Sequence, residues 1–275
     1  MTDSSAPSSG DGARPIADAT ISVLVPSLNA EEFIGEAILS ALRQSPAALE
    51  VLVQDGGSSD RTVAAVDAIG DPRVSIVSET DGGQSDALNR AVRRARGEWI
   101  CWLNADDLLA PEAFAAAAPF ARDEIDVVYG DFAYVDEDGE ITARFPVPDD
   151  FDRERLLRHG HYVFTGAALF RRSLFERFGG LDTDLRLAMD YDFCLRIAPH
   201  VRAVHCGTTL GYFRQHGGSA TAEISWRLVR EESRVRRRHG GYSRRTALPI
   251  LLYEAKRVAD VSSLPVRKRL RRRVD

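Results

Sequence analysis

An apolar run beginning at Gly97 breaks off in Asn104-Ala105-Asp106-Asp107, an amide followed by two adjacent carboxylates. Adjacent acids repel one another unless a cation neutralises them. A few hard oxygen ligands suit Mg2+ or Mn2+, which completes its shell with water and substrate phosphate. The alternative is that Asp107 caps the next turn and Asp106 is merely solvated. A second acidic turn, Gln54-Asp55-Gly56-Gly57-Ser58-Ser59-Asp60, also follows an apolar run. An aspartate there could accept hydrogen bonds from a base edge or from ribose hydroxyls. A third, Asp81 to Asn89, carries Gly82 and Gly83, which let backbone approach a ligand. Gln84 and Ser85 then open a helix whose N-terminus could face phosphate. Walker and G-x-G-x-x-G patterns are both missing, which argues against a P-loop kinase and a nicotinamide dehydrogenase.

Later in the chain, Asp190 stands at the start of an apolar-periodic segment, Arg186 to Ile197. It could be a general base or simply a helix cap. Asp192, two residues on, would face another side of the helix. Gly211 to Thr221 brings Arg214, which could pair with phosphate, and His216, which could ligate a metal or lie exposed in its loop. Trp102, His161, Tyr162, Phe164 and Thr165 are candidates to contact a sugar, against the alternative that each is core.

These residues need a scaffold, and the chain supplies a rhythm. Apolar runs at Ile21–Pro26, Leu49–Asp55, Val74–Ser78, Gly97–Asn104 and Ile125–Asp131 read as strands. Between them, Glu31–Gln44, Arg61–Ala68, Ser85–Arg96 and Pro111–Ala121 read as helices. That alternation implies an α/β fold with a mostly parallel, doubly wound sheet. Ligands of such sheets bind beyond the carboxyl ends of the strands, where the polar clusters fall. After Asp131 the pattern turns to α+β, with a hairpin at Asp138-Gly139, a short helix at Arg172–Phe178, a helix at Asp190–Ala198 and a strand at Leu210–Arg214.

The order strand-Pro26-x-x-Asn29, strand-Asp55-Gly-Gly-Ser-Ser-Asp60, Gly83-x-x-x-Ala87-x-Asn89, strand-Asn104-x-Asp106-Asp107 resembles glycosyltransferase family 2 over about Ile21 to Ala220. The resemblance implies an A-type nucleotide-sugar transferase fold (GT-A-like) and an inverting reaction. By the same resemblance, Pro26, Asn29, Glu31 and Asp55 line the nucleotide pocket, and Gly82, Gly83, Gln84 and Ser85 pass beside nucleotide and sugar. Asp106 is then the ligand for Mn2+ or Mg2+, with His216 as a further ligand and Arg214 on the diphosphate. Asn104 departs from the family's acidic first position. Asp190 takes the place of the catalytic base, while Met189 replaces the glutamate that precedes it in the family. Trp102, His161 and Tyr162 are assigned to the acceptor side.

The net charge of −5 conceals an asymmetry. Residues 221–275 carry 16 basic and 6 acidic side chains, net +10, and residues 1–220 carry 20 and 35, net −15. We therefore divide the chain into a disordered leader (1–19), a transferase domain (20–220, with a nucleotide-sugar half 20–131 and an acceptor half 132–220) and a basic helical tail (221–275). Val266, Leu270 and Val274 recur every four residues among arginines, which suits an anionic membrane surface or a solvated helix packed on the domain. Nucleic acid is not an expected partner, because the body is acidic. With no secretory apolar run at the start and three cysteines (Cys101, Cys194, Cys206) in no C-x-x-C pair, a reducing cytoplasm is expected, with peripheral attachment to the inner membrane face through the tail. The expected partners are a nucleotide-sugar donor and a sugar or lipid-linked acceptor. The competing readings are a nucleotidyltransferase, disfavoured because Val25-Pro-Ser-Leu-Asn29 lacks a Gly-rich basic loop, and a non-catalytic nucleotide-sugar-binding or scaffold protein, which draws on Asn104 and Met189.

Overall fold

A computed structural model describes residues 20–216, 226–243 and 246–257. The leader (1–19) and residues 258–275 lie outside the described residues, and with them the Val266-Leu270-Val274 repeat.

Strand β1 (Ile21–Ser27) is buried at every residue, as is β2 (Glu50–Asp55). Strands covered on both faces are mostly apolar, and the polar residues buried in these two, Ser22, Ser27, Glu50, Gln54 and Asp55, are hydrogen-bonded. β1 lies between β2 and β4 (Trp99–Trp102), and β2 continues to β3 (Val74–Ser78), all in parallel. Helix α1 (Ile34–Leu42) buries Ile34, Ala37, Ile38 and Ala41, the i, i+3, i+4, i+7 stripe. Helix α2 (Thr62–Asp67) follows β2, and α3 (Gln84–Arg94) buries Ala87, Leu88, Ala91 and Val92. The helices cover both faces of the sheet and give two apolar cores.

The remaining strands are β5 (Leu108–Leu109), β6 (Val127–Val135), β7 (Ile141–Phe145), β8 (Ala168–Arg171) and β9 (Ala203–Arg214). The sheet order is β3-β2-β1-β4-β8-β6-β9-β5, with β7 paired to β6. β8 is antiparallel to both β4 and β6, so β6 regains the direction of β4, and β9 runs parallel to β6. Six strands therefore share one direction, in line with the expected mostly parallel sheet. The carboxyl ends of β1, β2 and β4 meet at one edge, with Ser27 opposite Asp55 and Leu24 opposite Trp102.

Two local readings change. Pro111–Ala121 is not one helix: α4 covers only Ala113–Ala117, and a 3-10 turn over Ala118–Phe120 follows. Pro119 sits in that turn and has no N–H to continue the α-helical ladder. The last strand begins at Ala203 rather than Leu210, because its first residues pair with Val127 to Tyr129 of β6.

Helices α5 (Arg153–His159), α6 (Arg172–Arg177) and α7 (Met189–Ile197) belong to the second half of the chain. Helix α8 (Trp226–Arg238) buries Val229, Glu232, Val235 and Arg236. Val235, together with Ile250 from the helical residues 247–257, enters the same core as Leu24, Ile100 and Phe170. The described part of the segment expected as a basic helical tail from residue 221 is helical and packs into this core. Its basic composition hid an apolar stripe wide enough to pack.

Candidate active site

A cleft of about 610 Å3 opens at the carboxyl edge of β1 and β4. Pro26, Asn29, Gln84, Trp102, Asn104 and Asp106 line it from the sheet side. Phe164, Thr165, Arg186, Met189, Asp190 and His216 face it from the second half.

Asn104 organises the end of β4. Its Oδ1 accepts from Gln84 Nε2 at 2.8 Å and from Trp102 Nε1 at 2.9 Å. Its Nδ2 donates to Asp107 Oδ2 at 2.8 Å. An amide can accept and donate in this way and an ionised carboxylate cannot, so the departure from an acidic residue has a structural reason. Asp107 is buried and also accepts from the Arg214 amide at 3.0 Å. Burial, then the neighbouring Asp106 charge, pushes its carboxyl well above the usual aspartate range. Asp106 points into the cleft, with Oδ2 at 3.0 Å from His216 Nε2. The His216 ring lies 4.7 Å from that of Phe33.

A carboxylate oxygen and an imidazole nitrogen facing one another in a cleft wall form a donor set that fits Mn2+ or Mg2+, with substrate phosphate completing the shell. Among the described residues no third His, Cys, Asp or Glu joins them.

Arg214 does not line the cleft. Its side chain is fully buried, with Nε on the Asp106 carbonyl at 3.1 Å, Nη2 on Glu36 at 2.5 Å and Nη1 on the Glu137 carbonyl. It holds the Asp106 turn from behind. Asp55 is likewise internal and does not line the cleft. It accepts from Ser27 at 3.2 Å, Ser78 at 2.6 Å, the Gly57 and Ser58 amides at 3.1 and 2.9 Å, and the Ser58 hydroxyl. Burial opposes its charge, but the hydrogen bonds of Ser58, Ser78 and Ser27 outweigh it and hold the carboxyl below its ordinary value. Glu31 accepts from the Arg61 amide at 2.8 Å, and Asn29, in the left-handed region (φ 50), accepts from the Ser59 amide at 2.9 Å. Together they stitch the first loop to the second. Of these residues Asn29 reaches the cleft and Glu31 does not.

Gly83, at φ 103, precedes α3, and any Cβ there would collide with the Arg186 guanidinium, which binds the Gly82 carbonyl. Gly82, Gly83 and Ser85 stand behind the lining, and Ser85 Oγ donates to the Leu185 carbonyl at 3.3 Å.

Asp190 is the second residue of α7, and the capping position belongs to Ala188. One Asp190 oxygen accepts from the Tyr191 amide at 2.7 Å, and the other lies 3.2 Å from His161 Nδ1. Burial disfavours the His161 cation, but the Asp190 charge overrides it and raises the imidazole pKa well above its ordinary value. Asp192 faces away, as the helical period requires, to Arg196 at 2.8 Å and His239 at 3.0 Å. Tyr162 lies outside the cleft, donating to the Asp150 carbonyl at 2.7 Å. Trp102, Phe164 and Thr165 do line it. Sequence reasoning missed Arg186, Leu187 and Phe213 in the wall, since an arginine or leucine in a helical approach carries no local signal of its destination.

Comparison with known proteins gives concordant findings. The model for the family described as Glycosyl transferase family 2 matches residues 22–179. The uncharacterized glycosyltransferase EpsJ of Bacillus subtilis (strain 168) is 31% identical over 232 residues, which are 77% of this chain and 65% of EpsJ. This chain thus spans less than two thirds of that relative. A PGL/p-HBAD biosynthesis glycosyltransferase of Mycobacterium bovis (strain BCG / Pasteur 1173P2) is 32% identical over 181 residues, 64% of this chain and 68% of the relative. Among solved structures, the mannosyltransferase PcManGT from Pyrobaculum calidifontis, in complex with GDP-Man and Mn2+, superposes with a TM-score of 0.62 at 25% identity, over 90% of this chain and 72% of that one.

Two predictions follow from this geometry. Asn104→Asp removes the donor to Asp107 and sets a third carboxyl beside it, so stability should fall by about 1–3 kcal/mol. An unchanged urea midpoint would contradict the hub role. For His161, a raised pKa means that the pair's stabilisation is complete below the ordinary value of 6.5 and is lost as pH rises through the raised one. The stability gap between the wild type and His161→Gln should therefore narrow on going from neutral to alkaline pH. Thermal denaturation across that range checks it, and a gap that widens is the wrong sign.

Proposed function

The chain belongs to glycosyltransferase family 2, and from that premise we propose that it is a metal-dependent inverting enzyme moving a hexosyl or N-acetylhexosaminyl group from a UDP-type nucleotide sugar to a hydroxyl acceptor, in polysaccharide or glycolipid synthesis. The observation that carries this reading is one cleft shared by the Asp106–His216 pair and the Asp190 carboxylate. Support for a nucleotide-sugar donor and a metal comes from PcManGT, whose description names GDP-Man and Mn2+.

The mechanism follows from the chemistry of the two partners. An acceptor hydroxyl has a pKa far above 7, so a base must take its proton as it attacks. Four carboxylates line the cleft, Glu32, Asp106, Glu137 and Asp190, and Asp190 is the one contributed by the second-half helix α7. The acceptor oxygen bonds to the anomeric carbon, its proton passes to Asp190, and the bond to the diphosphate breaks with both electrons leaving on the nucleotide. One displacement inverts the centre, and no second carboxylate is needed as nucleophile. Asp106 and His216 would hold Mn2+ or Mg2+, which when bound supplies a Lewis acid for the developing phosphate charge. Arg186, rather than the buried Arg214, is the arginine in the cleft wall among the described residues.

The non-catalytic reading rests on Asn104 and Met189, and the hydrogen bonds of Asn104 explain one of these departures without loss of chemistry. Asp190→Asn tests the base directly. Nucleotide binding should survive while transfer falls by a factor of about 10²–10⁴. Full turnover in that variant would rule out the assignment. A panel of UDP-glucose, UDP-galactose, UDP-N-acetylglucosamine and GDP-mannose, with and without Mn2+, should show metal-dependent release of UDP. Binding without any release would favour the scaffold.

We also propose peripheral contact with an anionic membrane. On the helical residues 247–257, Leu248, Leu251 and Leu252 are 67, 53 and 64% exposed, and residues 262–275 carry six basic side chains and one acidic. An apolar helix face beside cationic sequence suits such a surface. No helix of the described residues is long and apolar enough to cross a membrane. Flotation with phosphatidylglycerol liposomes should carry the full chain but not a chain ending at 261. Equal soluble fractions would reject the contact.

A further inference from the structure

Helix α7 begins without a cap of its own. Ala188 occupies the capping position and has no side-chain acceptor, and Met189 follows it. The first amides of a helix have no partner within the helix and need one from elsewhere. Within α7 the Tyr191 amide is taken by Asp190 itself, and Glu231 on α8 holds the segment that leads into the helix, up to its capping residue. A single oxygen of Glu231, Oε2, accepts from the Leu187 amide at 2.8 Å, the Arg186 amide at 3.0 Å and the Ala188 amide at 3.3 Å. Three amides converging on one carboxylate make charge-assisted hydrogen bonds, and a negative charge at a helix N-terminus is favoured.

The position of this clamp matters more than its strength. Arg186 and Leu187 line the cleft, and Asp190 lies two residues beyond Ala188. The helix that carries Glu231 is itself anchored to the same region. Arg238 pairs with Asp182, His239 lies 3.0 Å from Asp192, and the fully buried Arg236 sits over the Tyr191 ring at 5.3 Å. Attachments therefore flank Asp190 on both sides, through residues 182, 186–188, 191 and 192.

We propose that Glu231 is a positioning residue for the transfer reaction, fixing from α8 the 186–188 segment that aims Asp190 into the cleft. The inference rests on the reading of Asp190 as the base. It gives α8 a part in positioning the site.

The test uses the full chain. Glu231→Ala removes the acceptor, Glu231→Gln keeps one acceptor oxygen, and the exposed Arg230→Ala controls for changes elsewhere on the helix. With the nucleotide sugar that the enzyme turns over, Glu231→Ala should lower kcat by about 10–100-fold with UDP affinity unchanged, because misplacement by about 1 Å can cost that much. Glu231→Gln should recover most of the rate, and Arg230→Ala should match the wild type. Amide hydrogen exchange at 187 and 188 should accelerate in Glu231→Ala while Val235 and Arg236 stay protected. A folded Glu231→Ala chain with wild-type kcat, or with unchanged exchange at 187 and 188, overturns the proposal. Asp190→Asn run alongside separates the two readings. If it stays active the base assignment fails, and if it is inactive while Glu231→Ala is fully active only the positioning role fails.

Discussion

Two adjacent aspartates at the end of a buried strand cannot both remain charged and close without help, and the site is arranged around that repulsion. Asp107 turns inward, where burial and its neighbour's charge raise its pKa and where Asn104 and the Arg214 amide supply donors. Asp106 is left to face the cleft and His216. The amide at 104 makes this division possible, because it donates to Asp107 while accepting from Gln84 and Trp102. Arg214 completes it by gripping the Asp106 carbonyl from behind. In this way one short turn ties β4 to α3 on one side and to β9 on the other.

The opposite wall is built by different means. There the carboxylate proposed as the base, Asp190, lies on a helix start held by groups remote in sequence: His161 before β8, and Glu231 on α8. The sheet side is stapled by short polar loops, with Asn29, Glu31, Asp55 and Asp60 binding one loop to the next. The second half relies on ion pairs and a buried arginine, Arg236, packed against Tyr191.

Much of the sheet side was legible because its signals are local. Strands covered on both faces are mostly apolar, and their polar ends must fall at one edge, so Asn104, Asp106 and Gln84 could be placed before any coordinates. Asp55, Glu31 and Arg214, expected at the ligand, have side chains engaged in hydrogen bonds of the surrounding loops and strands. Sequence reports residue type and order, and not which hydrogen bonds a carboxylate has already made. Tyr162 shows the same limit for an aromatic residue. The clamp of Glu231 on residues 186–188 was invisible, since it joins segments more than 40 positions apart and sits in a helix whose arginines drew attention to its charge. The extra length of β9 was hidden for a similar reason, because its first residues are extended by pairing with β6 rather than by their own propensity.

The central claim is a single displacement with Asp190 as the only carboxylate that takes part covalently or as a base. The most direct measurement is the anomeric configuration of the first-formed product, read by proton NMR during turnover of an α-linked nucleotide sugar. The account predicts a β-linked product. An α-linked product formed first would mean retention, which a single back-side displacement cannot give, and would contradict it.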